Sequence, residues 1–275
     1  AFFVPLLATS RAQELSKQMA DSLTDIMAVL LHGSKTSQLG ALQRLVQQAV
    51  ETGGAGAEQA ALFRSALVAG GALTELVAVL QSDDHERQYW SARALHALAL
   101  DDPATDVDNH HSGEICAAGA VAPLVVLLSS KSEMVQAGAM DALSALAENP
   151  TCQRIVAEAG AVAPLAKLVN YGHDSVKLGA MGALDILSVN NPRVHDELIG
   201  ENVPRVLGGI STMGTTLLRD QAGSFKARLD VTKAKATAPL SNLEHAKAAR
   251  ATRMRYVDLR KRAMKLMTDE QDGGE

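Results

Sequence analysis

Aromatic residues make up only 3% of this 275-residue chain, with one Trp, three Tyr and four Phe. β-Sandwiches and barrels build their cores from aromatic and β-branched side chains, so this scarcity argues against both. The apolar share is nonetheless 47%, carried by Ala, Leu and Val, which suits closely packed helices. Cysteine is nearly missing as well. Cys116 and Cys152 are the whole complement, which excludes a disulfide-dense secreted scaffold and any CxxC metal knuckle. Reduced thiols in an intracellular compartment are the resulting expectation. No apolar run reaches the roughly 18 residues of a bilayer-spanning helix, and the stretch Ala1–Leu7 is both short and interrupted by Pro5.

Signatures of catalysis are absent too. The chain holds no G-x-x-x-x-G-K-[ST], no G-x-S-x-G and no H-E-x-x-H. Gly53-Gly54-Ala55-Gly56 follows a helical pattern rather than a strand, so it reads as a loop and not as a phosphate cradle. Asp101, Asp102, Asp106 and Asp108, with His110 and His111, crowd one segment that has the donors for a divalent cation. Their spacing misses the EF-hand pattern, its glycine and its terminal Glu, and a solvated insertion is the simpler reading. No catalytic, cofactor or metal residue is therefore expected, and the chain is not read as an enzyme.

What the sequence does have is internal repetition. Gly119-Ala120-Val121-Ala122-Pro123-Leu124 recurs 41 positions on as Gly160-Ala161-Val162-Ala163-Pro164-Leu165. The same offset carries Val135, Gly138, Ala139, Met140, Leu143, Leu146 and Asn149 onto Val176, Gly179, Ala180, Met181, Leu184, Leu187 and Asn190. An earlier copy, Gly71-Ala72-Leu73 with Leu76, Leu80, Leu95 and Leu98, precedes these by 48 positions, so seven extra residues fall in one loop. Leu39-Gly40-Ala41-Leu42 and Val203 with Val206 mark worn copies at either end. Asn149-Pro150 and Asn191-Pro192 pair an N-cap side chain with a first-turn proline and start a short helix. Gly160 and Gly200 end such helices, and Val162, Leu165, Leu168 and Val169 give the next helix one apolar face. Ser132-Glu133 and His173-Asp174 open a third helix, as do Asp83-Asp84-His85-Glu86, whose acids suit a cap and the helix dipole. Gly138 and Gly179 then allow third helices to approach closely. Such units expose apolar faces unless they stack.

One short and two longer helices per 41 residues, with G-A-V-x-P-L-x-x-L-L followed by V-Q-x-x-A-x-x-A-L-x-x-L-A-x-N, resemble the armadillo repeat over about residues 20–210. The resemblance implies an all-α, right-handed α-solenoid of about four to five armadillo-like repeats followed by a long C-terminal helix. It also implies a non-catalytic protein that binds other proteins or extended peptides along a groove lined by third helices. Nuclear-import adaptors of that family place a Trp and, four residues on, an Asn in each third helix. Here those positions read Arg93 and Ala97, Asp141 and Ala145, Gly182 and Ile186, so the ladder is missing and a basic localisation signal is not the expected ligand. Trp90, three residues before the first of these, reads as a packing residue.

Charge is sorted along the chain. Residues 1–225 carry 14 basic against 24 acidic side chains, residues 226–268 carry 12 against 3, and the last seven hold four acids. The expected organisation is an N-terminal segment (1–20), the repeat domain (21–228), a linker (229–240), a long basic helix (241–268) and an acidic tail (269–275). Ser241 and Glu244 form a capping-box pattern at that helix's start. About 27 residues give it a length of roughly 40 Å. Tyr256, Leu259, Ala263 and Leu266 make a narrow apolar seam flanked by Arg253 and Arg260.

Two readings of that seam stand together: it packs on its own repeat domain, or it docks onto another subunit. The expected function is a protein–protein interaction scaffold, a structural subunit of a larger multiprotein complex. The alternative is a soluble adaptor holding extended peptides in its groove. Arg93, Asp141, Arg253, Tyr256, Leu259, Arg260, Ala263 and Leu266 are the candidate partner-binding residues. Other protein subunits are the expected partners, with peripheral contact to a membrane complex a lesser expectation. A small-molecule substrate is not expected, and scarce aromatics on an acidic body do not favour nucleic acid. A sequence starting at Ala1 fits removal of an organellar targeting peptide, so a mitochondrial or plastid setting is expected over a cytoplasmic one.

Overall fold

The computed structural model describes residues 21–49, 55–100, 110–234, 244, 247–256 and 258, and among these every regular element is a helix. A pair of helices opens the chain: α1 (21–32) and α2 (Lys35–Ala49). Four triplets follow. They are α3 (Ala55–Ala69), α4 (Ala72–Leu80) and α5 (His85–Ala99); α6 (His110–Ala117), α7 (Val121–Leu127) and α8 (Glu133–Leu146); α9 (Pro150–Glu158), α10 (Val162–Tyr171) and α11 (Asp174–Ser188); and α12 (Pro192–Gly200), α13 (Val203–Met213) and α14 (Thr216–Ala234). A last helical stretch, α15, covers 247–256.

Local chemistry sets these boundaries. Asn149 Oδ1 accepts the backbone N–H groups of Thr151 and Cys152 at 2.9 and 3.2 Å, and Asn191 Oδ1 accepts that of Val194 at 3.3 Å. In each case a first-turn proline loses nothing by lacking an N–H. Asp84 caps α5 in the same way, accepting from Glu86 and Arg87 at 3.1 Å. First and second helices meet at a left-handed residue: Gly71, Gly119 and Gly160 have φ of 82°, 82° and 79°. After Gly119 and Gly160 the chain closes a Schellman-type turn, with Ala120 N–H reaching Ile115 O and Ala161 N–H reaching Val156 O, both at 3.4 Å. In the fourth triplet Gly200 ends its helix as expected, and the left-handed turn follows it. Gly200 is the last residue of α12 and Asn202, at φ 60°, makes the left-handed turn, a conformation Asn tolerates because its short amide bonds locally.

Packing follows from the repeat. Third helices lie side by side in the order α2, α5, α8, α11, α14. A Cβ on Gly138 would stand 3.2 Å from the Tyr89 ring and 3.4 Å from Ala92 Cβ, and one on Gly179 would stand 3.1 Å from Met140 Cε. The absence of those side chains brings α8 onto α5 and α11 onto α8. Leu143, Leu146, Leu184 and Leu187 fill the layers between them and are fully buried. Leu42 and Leu45 of α2 are equally buried, so the worn N-terminal copy closes that end of the core. The seven extra residues fall between α5 and α6.

Two expected boundaries shift. Helix α14 runs to Ala234, so residues 229–234 of the expected linker are helix, and α3 begins at Ala55, so Ala55 and Gly56 are helical rather than loop. The segment 1–20, the remaining linker 235–240, the acidic residues 101–109 and the tail 269–275 lie outside the described residues.

Candidate protein-binding face

Third helices share a face, and the positions where import adaptors carry their ladder lie on it. Arg93 on α5 and Asp141 on α8 pair across neighbouring repeats at 3.5 Å, each about a quarter exposed. These two predicted residues are thus brought together as an inter-repeat bridge. Such a half-exposed pair contributes at most about 1 kcal/mol.

One repeat further on, the face changes character. Gly182 occupies the ladder position of α11, and the Tyr256 ring of α15 lies directly over it. A Cβ there would come within 2.8 Å of Tyr256 Cγ and 3.0 Å of Cδ1, so only glycine admits the ring. One turn along α11, Asp185 is 2% exposed. Its carboxylate accepts from the guanidinium of Arg228 on α14, through Nε at 3.0 Å and also through Nη2, while Arg255 Nη1 lies 3.9 Å away. Arg253 of α15 pairs with Glu148, just past the end of α8, and both side chains are largely buried. The predicted Arg253 and Tyr256 therefore face the chain's own repeats. Leu259, Arg260, Ala263 and Leu266 lie outside the described residues.

Burial dominates the electrostatics. It raises the Asp185 carboxyl above the ordinary aspartate value by more than Arg228 and Arg255 lower it. Burial also pushes the Tyr256 hydroxyl well above its usual range, with the Asp185 charge adding to the shift, so the phenol stays neutral. Arginine suits the Asp185 carboxylate because its planar fork can donate to both oxygens at once.

Gly182, Asp185, Glu148 and Arg228 were not among the predicted binding residues. One signal was readable: Asp185 stands at the register where the preceding repeat has Ser144, an acid set between Leu184 and Ile186 in a buried row. Elsewhere, Trp90 packs partly buried against Tyr89, edge to face at 5.2 Å, as a packing residue should. His111 is engaged by Ser65 Oγ at 3.1 Å and Glu114 at 3.0 Å. No group of three or more His, Cys, Asp or Glu able to hold a metal ion occurs among the described residues.

A stack of three-helix units with aligned third helices is a helical-repeat solenoid, a class that presents extended surface rather than an enclosed pocket. Within that class the fold is the armadillo fold. Residues 108–148 match the Armadillo/beta-catenin-like repeat family. Among solved structures, a designed armadillo repeat protein in complex with the peptide (KR)4 is 23% identical, with a TM-score of 0.67 over 79% of this chain and 85% of that one. Computationally designed armadillo repeat proteins for modular peptide recognition are 23% identical, with a TM-score of 0.59 over 86% and 98%. The armadillo-repeats-only protein of Plasmodium falciparum is 14% identical, with a TM-score of 0.59 over 70% and 80%. No curated protein matches the sequence. The resemblance read from the repeat thus holds, and the fold is one that typically serves as a non-enzymatic binding scaffold.

Proposed function

We propose that the protein is a non-catalytic protein-binding scaffold whose third-helix face takes an arginine- and tyrosine-bearing helical segment, supplied here by its own residues 247–256. What supports this reading is the constellation of Glu148, Gly182 and Asp185, two buried acids and a glycine slot, filled by Arg253, Arg255 and Tyr256. Neighbouring Asp141 extends the acidic character towards the N-terminal repeats, and the designed relative in complex with (KR)4 has the same fold. A partner segment of the same chemistry competes with α15 for the slot.

The test uses a fluorescent peptide of residues 241–268 and the full chain. Arg253→Ala with Tyr256→Ala loosens the resident helix and is expected to raise peptide affinity about tenfold, an occupancy change worth about 1.4 kcal/mol. Equal affinity for the doubly substituted and unchanged chains would refute the reading.

A second reading, a constitutive subunit of a larger assembly, draws support from a different surface. Met134, Tyr171 and Met213 lie at the corners between second and third helices of three successive repeats and are 55%, 87% and 87% exposed. Large apolar side chains repeated along one edge suit contact with another subunit. Co-purification that is lost in Tyr171→Glu but survives the Arg253 and Tyr256 substitutions would favour that edge over the slot.

A further inference from the structure

We propose that Cys116 and Cys152 form a dithiol modification site that a hydroperoxide closes into a disulfide joining the first helices of two neighbouring repeats. The geometry starts with Ser112. Cys152 Sγ donates to the Ser112 carbonyl at 3.2 Å across the contact between α9 and α6. In an α-helix the carbonyl of residue 112 is also the acceptor for the N–H of residue 116. The sulfur of Cys152 is therefore seated on the turn of α6 from which the Cys116 side chain springs. The two thiols are close enough for an S–H···S interaction, which stabilises a thiolate on Cys152 and resists a second ionisation at Cys116.

Position reinforces that polarity. Cys152 lies in the first turn of α9, where the positive end of the helix dipole favours a thiolate, and its own N–H is fixed by the Asn149 cap. Cys152 is buried whereas Cys116 is partly exposed, so a small oxidant meets the pair from the Cys116 side. These are the only cysteines in the sequence, which leaves each a single intrachain partner.

The chemistry balances as follows. With the shared proton on Cys116, the Cys152 thiolate attacks the peroxide O–O bond, giving a sulfenic acid on Cys152, and the leaving oxygen takes up the proton that Cys152 gave up and departs as one water. The Cys116 sulfur then attacks the Cys152 sulfur, the S–S bond forms, and the departing hydroxyl takes the Cys116 thiol proton as a second water. Two thiols lose two electrons and two protons, and one peroxide is reduced to two waters. A dithiol reductant reverses the bond. The bridge pins α6 to α9, one turn from the Glu148 that holds Arg253, and fixes the angle between those two repeats.

The test treats the full chain with stoichiometric hydrogen peroxide and follows free thiols and intact mass. The expected result is loss of both thiols together, a mass lower by two hydrogens, no covalent dimer on a non-reducing gel, and full recovery with dithiothreitol. Closure in the native chain should be at least about tenfold faster than in the same chain unfolded in guanidinium, because the fold supplies the proximity. Peptide mapping must place the bond between the peptides holding Cys116 and Cys152. Net addition of oxygen without loss of two hydrogens, a disulfide between chains, or equal closure rates in native and unfolded protein would each overturn the proposal. All of these readouts use the unsubstituted chain, so no variant's folding enters.

Discussion

Helices α8 and α11 are one element in two versions, and two of the positions at which they differ set their outward faces apart. Both bury Val, Ala, Met and two Leu in one register, and both leave out a side chain where the preceding third helix approaches. At the surface-facing positions they part. α8 carries Asp141 and Ser144, whereas α11 carries Gly182 and Asp185. With Asp141 the face offers a half-exposed acid to Arg93; with Gly182 and Asp185 it offers a slot and a buried charge, and a helix from the far end of the chain occupies them. The lesson is one of separation: the leucine lattice that stacks the repeats leaves the outward positions free to differ from one repeat to the next.

The largest effect should come from breaking what the two helices share. Leu184→Ala removes a fully buried interlayer side chain and should cost about 2–5 kcal/mol in urea unfolding, with Leu143→Ala in the same range. A cost below about 0.5 kcal/mol at either site would mean that the paired register is misassigned.

Next comes what they do not share. Gly182→Leu drives the Tyr256 ring from its seat, and amide exchange over 247–256 should accelerate about tenfold or more while the repeat core stays protected. Asp141→Gly, the matched change on α8, should leave that exchange untouched. If both substitutions loosen α15 equally, the slot is not specific to α11.

Smaller still is the cap between the two repeats. Asn149→Ala leaves the N–H groups of Thr151 and Cys152 without their acceptor and should lower stability by about 1 kcal/mol, read from the urea midpoint at unchanged slope.

The smallest effect is a difference of sign with pH. Asp84 is held below its ordinary value of 3.8, chiefly by the backbone N–H of Arg87. Its contribution is present above the unfolded value and is lost as pH falls through the folded one. Asp185 is shifted upward by burial, so the folded chain takes up that proton before the unfolded chain does, and the contribution of this site grows as pH falls through its folded value. Unfolding of Asp84→Asn and Asp185→Asn across the acid range should therefore deviate from the unchanged chain in opposite directions.

Much of the lattice was legible because its causes are local. Asn149-Pro150, Asp84 and Gly160 act within a few residues of themselves, and a 41-residue offset repeats those causes where the eye can find them. Asn202 was not singled out, because no glycine stands at the position of its left-handed turn to mark it. The slot was harder. Tyr256 meets Gly182, Arg253 meets Glu148 and Arg228 meets Asp185 across long stretches of chain, and nothing in the spacing of an aperiodic pair announces it. The basic helix could be read as a face in search of a partner; that Arg253 and Tyr256 meet Glu148 and Gly182 is a matter of tertiary closure.

That closure alters how the rod comes apart. In a linear stack each unit answers only to its neighbours, and an end can fray without disturbing the middle. Here Glu148 and Asp185, set ahead of the final triplet, hold a strap that returns from beyond it, and Arg228 of that triplet shares the same anchor. The terminal unit is thereby enclosed in a loop, and melting it first requires the strap to let go, so the C-terminal end opens as one cooperative event rather than helix by helix.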